Sequence, residues 1–139
     1  MMKNKISIPA LAVCILAILT AAGSRTVLGP CIHEDGSLGT CHWAGQAVFG
    51  TALLLAVQSL FALFLKKSDA RKGMFLAMFW TAMLGISFPG MLIGLCGMAT
   101  MRCRAVMRPA MTILFALMGA LSLAGCIARH AQDAGTEQR

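Results

Sequence analysis

Four stretches of this chain, residues 6–22, 44–65, 73–95 and 109–128, run for 17 to 23 residues without a charged side chain. A helix rises about 1.5 Å per residue, so about 20 apolar residues cross the hydrocarbon core of a bilayer. Each run is edged by cations: Lys5 and Arg25, Lys66 and Lys67, Arg71 and Lys72, Arg108 and Arg129. This pattern predicts an all-α fold, an integral membrane four-helix transmembrane bundle with two short outer loops, as a single domain over residues 1–139. Composition agrees. Only 12% of the 139 residues are charged and 58% are apolar, whereas a soluble domain carries about 25% charged residues. A disordered chain needs low hydrophobicity. Too few residues remain between the runs for a soluble catalytic lobe.

Lys and Arg in the flanks set the orientation. With the N-terminus inside, Lys3, Lys5, Lys66, Lys67, Arg71, Lys72, Arg129 and Arg139 are cytoplasmic, against Arg25, Arg102, Arg104 and Arg108 outside. Eight against four predicts both termini in the cytoplasm. The arginines at 102–108 form the dissenting segment. Small residues at Thr20-Ala21-Ala22 resemble a signal-peptide cleavage site, but the run is long enough to stay as a first span. Leu123-Ala124-Gly125-Cys126 resembles a lipoprotein box and falls at the cytoplasmic end of the last run, where that processing does not occur.

Helices in lipid associate through small residues. Gly90 and Gly94 in the third run, and Ala116, Ala120 and Ala124 in the fourth, have that spacing. Pro89 is expected to bend the third span near its outer third, since it donates no backbone hydrogen bond. Gln58, at mid-depth, is expected to face another helix. Trp43 suits an aromatic belt, and Trp80 is expected between helices. Met74, Met78, Met83, Met91, Met111 and Met118 are read as flexible core fillers.

Cysteine placement is the most informative chemical feature. Cys14 and Cys126 lie within runs, whereas Cys31, Cys41, Cys96 and Cys103 all map to the two outer loops. An even number of cysteines on an oxidising face reads as disulfides. Three pairings are open: Cys31–Cys41 with Cys96–Cys103 would staple each loop, either crossed pairing would tie the two hairpins together, and none calls for a cofactor. A second reading is a soft-metal or haem site. Cys31, His33, Cys41, His42, Met98 and Met101 offer thiolate, imidazole and thioether ligands suited to copper, zinc or haem, although neither pair is C-x2-C. A third is thiol–disulfide exchange linked to a quinone. Four spans with outer cysteine pairs resemble the disulfide-generating quinone reductases and the vitamin K epoxide reductase group in architecture. Their C-x-x-C pair is missing here, while Arg102 and Arg104 flank Cys103 as a low-pKa thiolate requires.

Arg102, Arg104 and Arg108 form an outer basic patch suited to anionic headgroups or an acidic partner. Nucleic acid is excluded as a partner by the side on which this charge lies. No phosphate loop, paired catalytic carboxylates or H-E-x-x-H motif is present, so the motifs lean away from an enzyme, and no charged residue lies inside a run, which argues against ion-coupled transport.

Cys41-His42-Trp43 before the second run, and Ile93-Gly94-Leu95-Cys96-Gly97-Met98-Ala99-Thr100-Met101-Arg102-Cys103 with Arg108-Pro109, carry a family likeness. The chain resembles, over nearly its whole length, an uncharacterised family of small four-span bacterial membrane proteins, number 4418 in the domain-of-unknown-function series. The resemblance brings no reaction and no cofactor. It implies a multi-pass protein of the bacterial inner membrane and an accessory subunit beside an ABC-type permease. The function expected from residues and resemblance together is a membrane accessory or binding subunit, of a bacterial transporter-type complex, with a disulfide-stapled outer surface.

Overall fold

The computed structural model describes residues 7–26, 40–95, 97 and 103–137, without the side chains of residues 132, 133 and 135–137. Among them are four α-helices, α1 (Ile8–Arg25), α2 (Thr40–Phe64), α3 (Ser68–Ser87) and α4 (Arg108–Glu137), with a five-residue π-helix, Cys103–Met107, running directly into α4. No strand forms among the described residues; Pro89 and Ile93 make an isolated bridge.

Local chemistry sets the helix ends. Pro9 occupies the first turn of α1, where a missing N–H costs nothing. At the other end of the chain's first hairpin, Arg71 donates to the Leu65 carbonyl from Nε, at 3.1 Å, and from Nη2. This guanidinium occupies one of the carbonyls that the end of α2 leaves without a helical partner. Burial, and then the charge of Arg129, pull Arg71 below the usual arginine pKa, yet a guanidinium stays protonated at any ordinary pH. Asp69 sits in the first turn of α3, where the helix dipole favours an anion, and Lys72 lies 3.6 Å from it.

The third apolar run and the third helix do not coincide. Where the sequence predicts a span over 73–95, α3 starts at Ser68 and stops at Ser87. Pro89 therefore ends this helix instead of bending it. Its ring lacks the N–H that would donate to the Gly85 carbonyl and crowds that carbonyl, so the ladder stops here although Phe88 itself keeps helical angles, φ −63° and ψ −51°. The chain then turns back on itself. Leu92 N–H donates to the Ser87 carbonyl at 3.0 Å, Ile93 to Phe88 at 3.2 Å, and Gly90 to Ile93 at 3.1 Å. Gly90 has φ +99°, a conformation glycine adopts without steric cost. Gly90 and Gly94 thus belong to a turn and the segment after it, not to a helix–helix contact. Pro109 has the opposite outcome. It cannot donate to the carbonyl four residues back, and the turn before it is wound as a π-helix, which gives the ring room.

The helices pack in ring order. α1 touches α2 and α4, and α3 touches the same two. Neighbours run antiparallel, as shown by Arg25 at the end of α1 lying over the Phe49 ring of α2, 4.4 Å from its centroid. α1 packs on α2, and the buried residues of the two helices are mostly small: Ala10, Val13, Ala17 and Ala21 on α1, and Ala44, Val48 and Ala52 on α2. α3 and α4 lock by shape. A Cβ on Gly85 would lie 2.5 Å from the Phe115 ring, and one on Gly125 would lie 2.7 Å from the Phe75 ring. Each phenylalanine fills the notch left by the other helix's glycine. The two notches are ten residues apart on each helix, which fixes one antiparallel register.

This packing corrects several sequence-based expectations. Ala116, Ala120 and Ala124 are exposed on the outer face of α4, whose contact face is Met111, Phe115, Met118, Gly119, Ser122 and Gly125. Trp80 is 65% exposed and Met91 80% exposed, so neither fills the core. Met78, Met111 and Met118 do. Gln58 of α2 donates from Nε2 to Thr81 of α3 at 3.2 Å. Thr81 donates its own proton to the Ala77 carbonyl, and Gln58 Oε1 is shielded with no partner among the described residues. Buried hydroxyls bond back to their own helices, among them Thr20 to Leu16 and Ser122 to Met118, the usual way an apolar setting is made tolerable for them.

Candidate functional site

α1 and α3 finish at the end of the ring where α2 and the π-helix begin. That end gathers most of the chain's distinctive chemistry. Cys41 opens α2 and Cys103 opens the π-helix, and both are fully buried. Two residues at the ends of regular elements are thereby held inside the packing, as structural cysteines are. Beside Cys41, the half-buried His42 ring meets Trp43 edge-on, with centroids 5.8 Å apart. Trp43 itself is 63% exposed. Cys14 and Cys126 are free thiols inside α1 and α4, both half-buried.

The basic patch takes a definite shape. Arg104, Arg108 and Thr112 are four residues apart along the π-helix and the first turns of α4, with Pro109 and Ile113 alongside. Together they line an open groove of about 460 Å³. Arg104 donates from Nη1 to the Gly97 carbonyl at 3.4 Å, a weak tether. Arg108 crosses the turn that follows α3: a Cβ on Gly90 would lie 3.1 Å from Arg108 Nε. Gly90 therefore serves two needs, a positive φ and a surface flat enough for the Arg108 guanidinium to lie close. The Thr112 hydroxyl donates to the Arg108 carbonyl at 2.8 Å, so its oxygen is left to accept.

Of the residues singled out from the sequence, Cys41, His42, Cys103, Arg104 and Arg108 are placed at this end. Cys31, His33, Cys96, Met98, Met101 and Arg102 lie outside the described residues. Among the described residues, no three His, Cys, Asp or Glu side chains converge as metal ligands would. Sequence reasoning missed Gly90 as the seat of Arg108, and Pro109, Thr112 and Ile113 as groove walls. The four-residue spacing of 104, 108 and 112 was the available clue to a shared helical face.

Three helices are long and apolar enough to cross a membrane: Ile8–Arg25, Thr40–Phe64 and the continuous helical stretch Cys103–Ala131. Large apolar side chains such as Ile18, Leu19, Leu54, Phe61 and Ile113 point outward from the ring, far more apolar surface than a soluble monomer exposes. These features define a helical protein of the multi-pass membrane class. Within that class the chain belongs to the family described as Domain of unknown function (DUF4418), whose model matches residues 13–128. No curated protein and no solved structure matches the chain.

Proposed function

We propose that the chain is a binding or accessory subunit of a bacterial inner-membrane complex that crosses the bilayer four times and works through its outer end. Both termini are then cytoplasmic, and Cys31, Cys41, Cys96 and Cys103 are oxidised as disulfides. The observation that carries this reading is the burial of Cys41 and Cys103 at one end of an otherwise apolar ring. An exchange thiol must be reached by a partner thiol, and a sealed one is not, so burial favours a stapled surface over a redox centre.

The fourth crossing rests on the register of α3 against α4. Residues 73–87 alone reach only about 22 Å at about 1.5 Å per residue, short of the roughly 30 Å hydrocarbon core. The glycine–phenylalanine register sets Ser87 level with Ile113, and the turn at 88–93 level with Arg108 and its neighbours. Helix and turn together therefore match the depth of the apolar part of α4. The N–H groups of Gly90, Leu92 and Ile93 bond within the turn or to the end of α3, which lowers the cost of non-helical backbone close to the membrane surface.

An ABC-type permease, or another transporter subunit, is the partner proposed for the outer end. Affinity purification of the full chain from its native membrane, with photoreactive side chains introduced beside Trp43 and Arg104 as crosslinkers, tests the proposal. A membrane subunit should co-purify in near-stoichiometric amount, with crosslinks mapping to the segments beside Trp43 and Arg104. A protein that purifies alone, holding copper, zinc or haem or reducing a quinone, would overturn the accessory reading in favour of chemistry at the same cysteines.

A further inference from the structure

The accessory reading leaves Arg104 and Arg108 without a task. At the opposite end Arg71 caps α2 and Lys72 sits beside Asp69, while Lys66 and Lys67 are exposed and lie outside the groove lined by Arg104 and Arg108. Arg104 and Arg108 are exposed, flank one open groove, and make no ion pair among the described residues. Asp69 is the one acidic residue whose side chain is described, and it lies at the far end. The groove is also half apolar. Pro109 and Ile113 form its wall, and Ile113 (60% exposed) leads down α4 to Leu117 (49% exposed) on the surface that faces away from the ring.

We infer that the groove formed by Arg104, Arg108, Pro109, Thr112 and Ile113 is a binding site for an anionic membrane phospholipid. The arginines take the phosphodiester and an acyl chain follows Ile113 and Leu117. Guanidinium groups suit phosphate oxygens because their planar forks donate two parallel hydrogen bonds. Two of them beside an anionic headgroup add to the attraction that each basic residue near a membrane surface contributes. The Thr112 hydroxyl, already donating to Arg108, adds no donor, so recognition rests on the arginines. The apolar wall distinguishes a lipid from a free phosphate: a soluble anion gains nothing from Ile113. The Gly90 turn lies close against the Arg108 guanidinium, with a Cβ there 3.1 Å from Nε and 3.2 Å from Cζ, which limits how far that group can swing from the groove. The inference rests on α4 being a membrane span.

Native mass spectrometry of the full-length protein in mild detergent tests it, with phosphatidylglycerol and phosphatidylcholine of matched chains as probes. Phosphatidylglycerol should be retained roughly ten-fold better. Joint Arg104→Gln and Arg108→Gln substitution should bring that preference close to one, while Lys66→Gln with Lys67→Gln should leave it unchanged. Equal retention of the two lipids, or a preference that survives loss of both arginines, would overturn the assignment. So would a preference lost equally in the lysine variant. Millimolar glycerol 3-phosphate should leave the lipid adduct of the unmodified protein in place; displacement would assign the groove to a free phosphate. Should the arginine variant lose helical circular dichroism, the competition experiment alone decides. Failure of the membrane reading itself would show separately, as release of the chain from membranes by alkaline carbonate.

Discussion

The α1–α2 hairpin and the α3–α4 hairpin bury similar apolar faces by different means. The first uses small side chains, Ala10, Ala17, Ala44 and Ala52, so that two regular helices approach closely. The second sets Phe75 and Phe115 into notches at Gly125 and Gly85, and it carries the Pro89 turn, the positive φ at Gly90 and the π-helix before Pro109. A smooth interface holds helices together, whereas a notched one also dictates their register. The notched hairpin is therefore where loop groups can be held at a chosen depth, and it is where the arginine groove lies.

The largest effect expected from breaking this contrast is at Gly85. Gly85→Leu drives side-chain atoms into the Phe115 ring and should cost about 3 kcal/mol, measured by unfolding in mixed micelles. Adding Phe115→Ala should restore part of the loss, because the two sites share one contact. Additive losses would show that the notch does not set the register. A smaller effect belongs to Gly90→Ala, which places a Cβ at positive φ and against Arg108; about 1–2 kcal/mol is expected, together with weaker phosphatidylglycerol retention. Unaltered retention would separate the turn from the groove.

Gln58 joins the two hairpins. Gln58→Leu removes one interhelical hydrogen bond, worth about 0.6 kcal/mol in comparable membrane proteins. It also removes an acceptor shielded without a partner, which costs about 1–3 kcal/mol to leave unmet. Stability should hold or rise, and a loss above about 2 kcal/mol would give this bond a larger structural role. The smallest effect is expected at Ala120→Leu. This side chain points away from the ring, so stability should stay within about 0.5 kcal/mol.

Much of the architecture is legible in the sequence because charge-free runs report how long a segment can stay away from water. Helicity is a separate property. Hydropathy continues without a break through Phe88, Met91, Leu92, Ile93 and Leu95, yet the helix ends at Ser87, just before Pro89, so the apolar run outlasts the helix. Contact faces were harder still. When nearly every side chain on a helix is apolar, no polar face marks the exterior. The alanines at 116, 120 and 124 then looked as good a contact as Gly119 and Gly125, and only the positions of Met83 and Phe75 on the facing helix separate them. At the site, the placement of Cys41, His42, Cys103, Arg104 and Arg108 at one end was readable from topology. The groove was not, because its walls and the seat of Arg108 come from a turn that the apolar pattern concealed.

The central claim, an outer end sealed by disulfides and used for binding, meets its most direct test in a count of thiols. The protein is denatured without reductant, alkylated, and weighed as an intact chain before and after reduction. Two alkylated thiols before reduction, assigned to Cys14 and Cys126, and six after it are the predicted result. Six alkylated thiols before reduction, in protein prepared without bound metal, would contradict it.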